Sequence, residues 1–334
     1  MTFNSYQRSY NKEQKAYRFA IFIQNVKEFN DEEKRNPGLD LDVTQFADWT
    51  EEEMKNLLSN GYGDHHSLEI SRFKDTVIRE GDKRPMEINW RMLGKVTEVK
   101  NQMQCGSCWA FATVAAVESQ YAIRRNQLIT LSEQEMLDCD SKNNGCHGGY
   151  RPYAMKFVQR SGLVKDAEYP YNGKEGNTCK LSNMTQQRVY INDYQILSSN
   201  ENLIADWIAT NGPVTFGSIL SLSLAIIDLI SDGTRLDYYL FTTQLYPFNQ
   251  GMNVTKAMYS YRNGIFTPSP EDCQNNSLGS HALTIVGYGT EEQRDFWLVK
   301  NSWGGRWGQE GYFKLARGVN SCGVANIVVA PVIN

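Results

Sequence analysis

The chain has 334 residues, a length that allows one to three domains. Its 34 Lys/Arg against 38 Asp/Glu leave a net charge of −4, which gives no reason to expect a nucleic-acid partner. The longest apolar candidate, ILSLSLAIIDLI at 219–230, is too short for a membrane span and carries Asp228, so none is expected.

The start, MTFNSYQRSYNKEQK, lacks the apolar core of a secretory signal. Residues 11–35 place Ala16, Phe19, Ile23, Val26 and Phe29 at spacings of three and four, which predicts an amphipathic helix stopped by Pro37 and Gly38. Thr50, with Glu53 three positions on, predicts a capping box and a second short helix. The first 83 residues hold 16 Asp/Glu against 12 Lys/Arg, so the chain's excess acidity lies there. Residues 60–85 turn polar and read as a linker, in which His65 and His66 have no companion at metal-ligand spacing.

All seven cysteines follow residue 104: Cys105, Cys108, Cys139, Cys146, Cys179, Cys273 and Cys322. An odd count reads as three bridges and one free thiol, or as a reduced intracellular set. NQMQCGSCWAFA at 101–112 therefore admits a redox couple, half of a zinc site (Cys139, Cys146 and His147 the other ligands), or one bridge cysteine beside a reactive thiol. No β-rich run precedes the pair, which disfavours the redox couple. The following WAFATVAAVESQYAI predicts a buried helix, whose start favours a thiolate at Cys108. A thiol nucleophile also needs a base. His281 precedes the strand-like ALTIVGYG; Asn301 in KNSWGG fits as the group that orients its ring, and Trp303 as a shield over that contact. HALTIVGYG, DFWLVKNSWG and GYFKLAR are β-rich, so a helical half followed by a strand-rich half predicts an α+β fold.

QCGSCWAF, LSEQEMLDCD, GCHGG, SHALTIVGYG and NSWGGRWG together make the chain resemble the papain-like cysteine proteases of the papain and cathepsin L group. The resemblance implies a two-subdomain α+β domain over 84–334 with the active site in the cleft between a helical and a β-rich half. It implies Cys108 as nucleophile, His281 as acid/base, Asn301 as its orienting partner and Gln102 as an oxyanion donor. It further implies the bridges Cys105–Cys146, Cys139–Cys179 and Cys273–Cys322, which leave Cys108 as the free thiol. Gly148, Gly149 and Tyr150 would form the wall that pairs with substrate backbone. Trp303, Ala282 and Ile327 complete the expected substrate contacts, with Arg151 standing where the family has an apolar residue or proline. Residues 1–83 resemble the family's inhibitory helical pro-segment, with Arg18, Phe22, Asn25, Phe46 and Asp48 matching its motifs and Gln14, Phe29 and Glu33 departing from them.

The implied protein is a monomeric endopeptidase made as a zymogen, acting on proteins or peptides, held by its own pro-segment and open to cystatin-like inhibitors. It needs no metal or organic cofactor and is lysosomal or secreted, a mispredicted start accounting for the missing signal. Sequons at Asn183, Asn253 and Asn275 are compatible with that route. The competing class is a papain-like binding protein without activity.

One segment disturbs the pattern. His281 lies 173 positions beyond Cys108, where the family's spacing is about 130 to 150. Removing the 34 residues 217–250 restores 139 and joins NGPVTF to GMNVTKAMYSYRNGIF, so this segment reads as a retained intron, with a genuine surface insertion as the rival.

Overall fold

In the first helix the buried stripe is polar as often as it is apolar. A computed structural model describes residues 9–58, 84–176, 178–180, 187–217 and 252–334. Helix α1, Lys12–Arg35, opens at Asn11, which forms a capping box with Gln14. Phe19 and Ile23, expected on the inner face, are each 52% exposed, and Ala16 is exposed too. The face turned inward instead carries Arg18, Phe22, Asn25 and Phe29. Tertiary partners override apolar periodicity here. Arg18 makes a bidentate ion pair with Glu53 at 2.5 and 2.6 Å, and Asn25 Nδ2 donates to the carbonyls of Ala47 and Trp49 at 3.0 Å each.

Strand β1 (Asp40–Leu41) leads to α2 (Glu51–Lys55), where Thr50 and Glu53 form the expected capping box. After β2 (Ile88–Asn89) come α3 (Cys108–Arg125), α4 (Glu133–Cys139) and α5 (Arg151–Ser161). Next are β3 (Asp193–Leu197), α6 (Glu201–Asn211), β4 (Val214–Phe216), β5 (Met252–Thr255), β6 (Tyr261–Asn263) and β7 (Ile265–Phe266). Helix α7 (Pro270–Asn275), β8 (Ser277–His281), β9 (Leu283–Glu291), β10 (Arg294–Lys300), β11 (Tyr312–Ala316) and β12 (Val328–Val332) complete the order.

Helices α3, α4 and α5 pack around Trp109, Val114, Met136, Met155 and Val158. The main sheet runs β3-β12-β4-β9-β10-β11-β7, with β2 added at β9, and its core is centred on Phe216, Ile285, Trp297, Trp307 and Phe313. The helical half and the strand-rich half of an α+β fold are thus distinct cores. N-terminal residues Phe29, Leu41, Phe46, Trp49, Met54, Leu57 and Leu58 belong to the second core, and β1 pairs with β6. Phe46 is wedged edge-on against Trp49, Tyr259 and Trp303 at centroid distances of 5.0 to 5.2 Å.

The strand register isolates the disturbing segment. Phe216 of β4 pairs with Leu283, and Met252 of β5 pairs with His281, both antiparallel. Two steps along the partner strand are matched by 36 along this one, an excess of 34 residues. Without that excess β4 and β5 form one unbroken strand against β8 and β9, with a single residue facing Ala282. That residue is glycine whether 217–250 or 218–251 is removed, since Gly217 and Gly251 are identical. Residues 218–250, His65, His66, Asn183 and most of the linker lie outside the described residues. Of the other two sequons, Asn275 is exposed, whereas Asn253 Nδ2 donates to the Cys273 carbonyl at 2.7 Å.

Candidate active site

Cys108 is the first residue of α3, behind the N-cap Ser107, so the unsatisfied amides and positive end of an 18-residue helix lie beside its sulfur. The preceding loop is tied down by the Cys105–Cys146 disulfide and by the Gly106 N–H donating to the Cys146 carbonyl at 2.9 Å. A Cβ on Gly106 would come within 2.4 Å of that carbonyl, which accounts for glycine there. The other bridges join Cys139 to Cys179 and Cys273 to Cys322, and Cys108 is the free, fully buried thiol.

From the opposite half, β8 ends at His281 and β9 starts at Leu283; between them the Ala282 N–H faces Cys108 Sγ at 3.4 Å. His281 Nε2 is 2.8 Å from Asn301 Oδ1. The Ser302 N–H also points at that oxygen, at 2.7 Å, so the atom is an acceptor and the ring proton sits on Nε2. Nδ1 is left with its lone pair, buried and without a hydrogen-bond partner. Trp303 stacks on the imidazole at 4.9 Å and is itself 1% exposed, covering the His281–Asn301 contact. Burial pushes the His281 pKa down to about 4, the Asn301 hydrogen bond opposing it in part, so the ring is neutral in this closed form.

Gln102 completes the group. Its Oε1 accepts from Ser302 Oγ at 2.7 Å, and its Nε2 donates at 2.8 Å both to the Cys105 carbonyl and to the carbonyl of Leu57. The N-terminal segment therefore places a backbone carbonyl on the amide expected to receive an oxyanion. Leu58 continues the blockade, its carbonyl facing Gly106 and its side chain Gly279.

Other expected contacts divide. Gly149 lies flat against Trp109, where a Cβ would meet the indole at 2.4 Å; Gly148 adopts φ 117° and frees the turn into α5. Tyr150, expected in the wall that pairs with substrate backbone, is 5% exposed and packs on Tyr153 as part of the interior. Ala282 shares a small apolar cluster with Cys108 and Ala112, and Ile327 is 8% exposed on the neighbouring core. Among the described residues no group of His, Cys, Asp and Glu has the arrangement of a metal site, and no helix is long and apolar enough to cross a membrane.

Sequence reasoning missed three contributors. Leu57 acts through a carbonyl and Ser302 through its Oγ on Gln102, while the Tyr171 hydroxyl donates to the Gln102 carbonyl at 2.8 Å. The only signal for any of them was the position of Ser302 inside NSWGG.

Residues 84–223 and 236–332 match the papain family of cysteine proteases, the interruption falling inside 217–250, and residues 3–54 match the cathepsin propeptide inhibitor domain. A viral cathepsin of Choristoneura fumiferana nuclear polyhedrosis virus is 32% identical over 97% of this chain and 87% of its own length. Vignain of Ricinus communis is 36% identical over 95% of this chain and 80% of its own. The structure of a digestive procathepsin L2 proteinase from Tenebrio molitor larval midgut aligns over 98% of this chain and 96% of its own, with TM-score 0.78 and 31% identity. A recombinant stem bromelain precursor gives TM-score 0.74 at 32% identity over 99% and 96%. A free thiol at a helix start, met by the backbone N–H of the residue that follows His281, agrees with those matches, and the chain belongs to the papain family of cysteine proteases, with a cathepsin-type propeptide domain at its N-terminus.

Proposed function

We propose that the chain is an autoinhibited endopeptidase that cleaves peptide bonds through an acyl-enzyme on Cys108. The Cys108 thiol proton passes to His281 Nδ1, and the sulfur attacks the scissile carbonyl carbon. The oxygen that gains charge is met by Gln102 Nε2 and the Cys108 N–H. The His281 imidazolium then protonates the amine as the C–N bond breaks. In deacylation the same Nδ1 takes a proton from water as the water oxygen bonds to the acyl carbon; the C–S bond then breaks, the acid leaves, and the imidazolium returns its proton to the sulfur. Asn301 keeps Nδ1 directed at the sulfur throughout.

The observation that carries this reading is the Leu57 carbonyl on Gln102 Nε2, 2.8 Å away, because an inhibitor segment imitates a substrate only where the oxyanion donor is in place. Its test is titration of acid-processed protein at pH 5 with an epoxide that alkylates thiols, located by peptide mass spectrometry. One label per chain, on Cys108, is expected; absence of label on folded, processed protein would favour the binding-protein reading.

Acid is expected to release the pro-segment. The apolar anchors Phe46, Trp49, Met54, Leu57 and Leu58 each contribute about 1.5–3 kcal/mol of burial. The Lys256–Glu28 and Arg262–Asp42 ion pairs to the body are partly exposed and contribute at most about 1 kcal/mol each. Loss of these surface ion pairs alone is therefore too small, and buried His281 and part-buried Glu53 matter more. His281, held near 4 by burial against an ordinary value of about 6.5, takes up a proton more readily once hydrated, so the closed form loses stability as pH falls from 6.5 towards 4. Arg18 holds the Glu53 carboxyl below its usual value; that stabilisation is present above the usual value and is lost as pH falls through the lowered one. Both act in the same direction. Processing of purified zymogen should be faster at pH 4 than at pH 7, and equal rates would refute acid release. Such acid activation, and bridges that need an oxidising route, fit a lysosomal or secreted protein.

A further inference from the structure

Arg151 is the first residue of α5, yet its side chain runs inward and is 1% exposed. A cation at a helix N-terminus opposes the helix dipole, and a buried guanidinium without a counter-charge is costly. Both penalties fall on one residue here. Nη2 donates to the Gly217 carbonyl at 2.6 Å, Nε is buried without a hydrogen-bond partner, and no carboxylate among the described residues pairs with the group. The titratable groups nearest it are the Tyr150 hydroxyl and the Cys108 thiol, neither of them a carboxylate.

Its position is specific. Gly217 directly follows β4, and the next step of the register that pairs Phe216 with Leu283 is Ala282, whose N–H meets Cys108 Sγ; the Gly217 N–H donates to the Ile327 carbonyl at 2.9 Å. A Cβ on Gly217 would lie 2.3 Å from Arg151 Nη1, so a bare backbone makes the room for the guanidinium. Apolar Ala282 and Ile327 thus flank a charged base one residue from His281. Burial lowers the Arg151 pKa to about 10, which leaves the group cationic under acid and neutral conditions.

We infer that Arg151 makes this pocket select a carboxylate, so that the substrate residue immediately before the cleavage-site residue is glutamate or aspartate. A carboxylate would accept from Nε, which now lacks a partner, and supply the missing counter-charge. The inference rests on the endopeptidase reading and replaces the apolar preference that Ala282 and Ile327 suggest by themselves.

The test compares acid-processed full chain on N-blocked dipeptide coumarylamides that share the cleavage-site residue and carry Glu, Leu or Lys before it. The expected kcat/KM for Glu exceeds that for Leu by about tenfold or more, with Lys slowest. Arg151→Met should invert the Glu-to-Leu ratio and Arg151→Lys should keep it above one. Each ratio is taken on one protein sample, so a partly folded variant still reports it. Leu preferred by the unaltered chain, or a ratio that Arg151→Met leaves unmoved because every substrate slows equally, would overturn the inference. Hydrolysis of none of the three would sink the endopeptidase reading itself, and this proposal with it.

Discussion

Replacing Cys108 by alanine is expected to lower peptide hydrolysis by about five to six orders of magnitude, because in the proposed mechanism the sulfur is both nucleophile and proton source and no second thiol is free. Folding should survive, since the thiol fills a small apolar cluster with Ala112 and Ala282 that a methyl group largely satisfies. The comparison that gives the number meaning is Gln102→Ala. Loss of one oxyanion donor is expected to cost about 10²–10³ in kcat. That variant also removes the donor that holds the Leu57 carbonyl, so its isolated pro-segment should bind the processed enzyme more weakly, whereas Cys108→Ala should bind it about as well as the unaltered enzyme. Initial rates on a peptide substrate and inhibition by the added pro-segment separate the two. A Cys108→Ala protein retaining more than about a thousandth of the activity would assign the chemistry elsewhere.

The parts legible in the sequence were those governed by neighbours along the chain. Asn11 and Thr50 cap helices because a side chain reaches an amide three residues away, and the run after Cys108 is buried on almost every face because α3 lies between two halves. Cys108, His281 and Asn301 stood out as candidates because each sits inside a motif whose glycines and tryptophans are themselves required by the packing, as Trp303 stacked on His281 shows. Illegible were contacts that the tertiary fold alone creates. Apolar spacing in α1 pointed to Phe19 and Ile23, but the inward face was decided by Arg18 finding Glu53 and Asn25 finding the Ala47 and Trp49 carbonyls. The buried network of Lys100 with Glu118 and Glu133, with Lys300 bonded to Thr97, joins four separate stretches behind Asn301, and no spacing rule brings them together. Backbone groups such as the Leu57 carbonyl carry no sequence signature at all.

A chain lacking residues 217–250 is expected to fold into the same protein, keep its activity and be the more stable form. The register leaves one position between Phe216 and Met252, and a glycine occupies it after excision, so no pairing with β8 or β9 is lost and the Arg151 pocket keeps its bare backbone. Closing an extra connection of 34 residues costs about 3 kcal/mol of chain entropy, which for a domain of this size corresponds to a rise in Tm of about 6–12 °C when the connection is removed. Thermal unfolding of the two purified chains measures it. If the segment is a retained intron, peptide mapping of the protein isolated from its source will find nothing from 218–250 and the shorter chain will match its Tm. Detection of any such peptide would refute the intron, and a shorter chain that unfolds earlier would show that the segment supports the strand it interrupts. The junction lies one residue from the position opposite His281, so a strand broken there would loosen the proposed acid/base first. Activity should therefore fall before global stability does if the excision is wrong, and the same pair of proteins, titrated at Cys108, reports both.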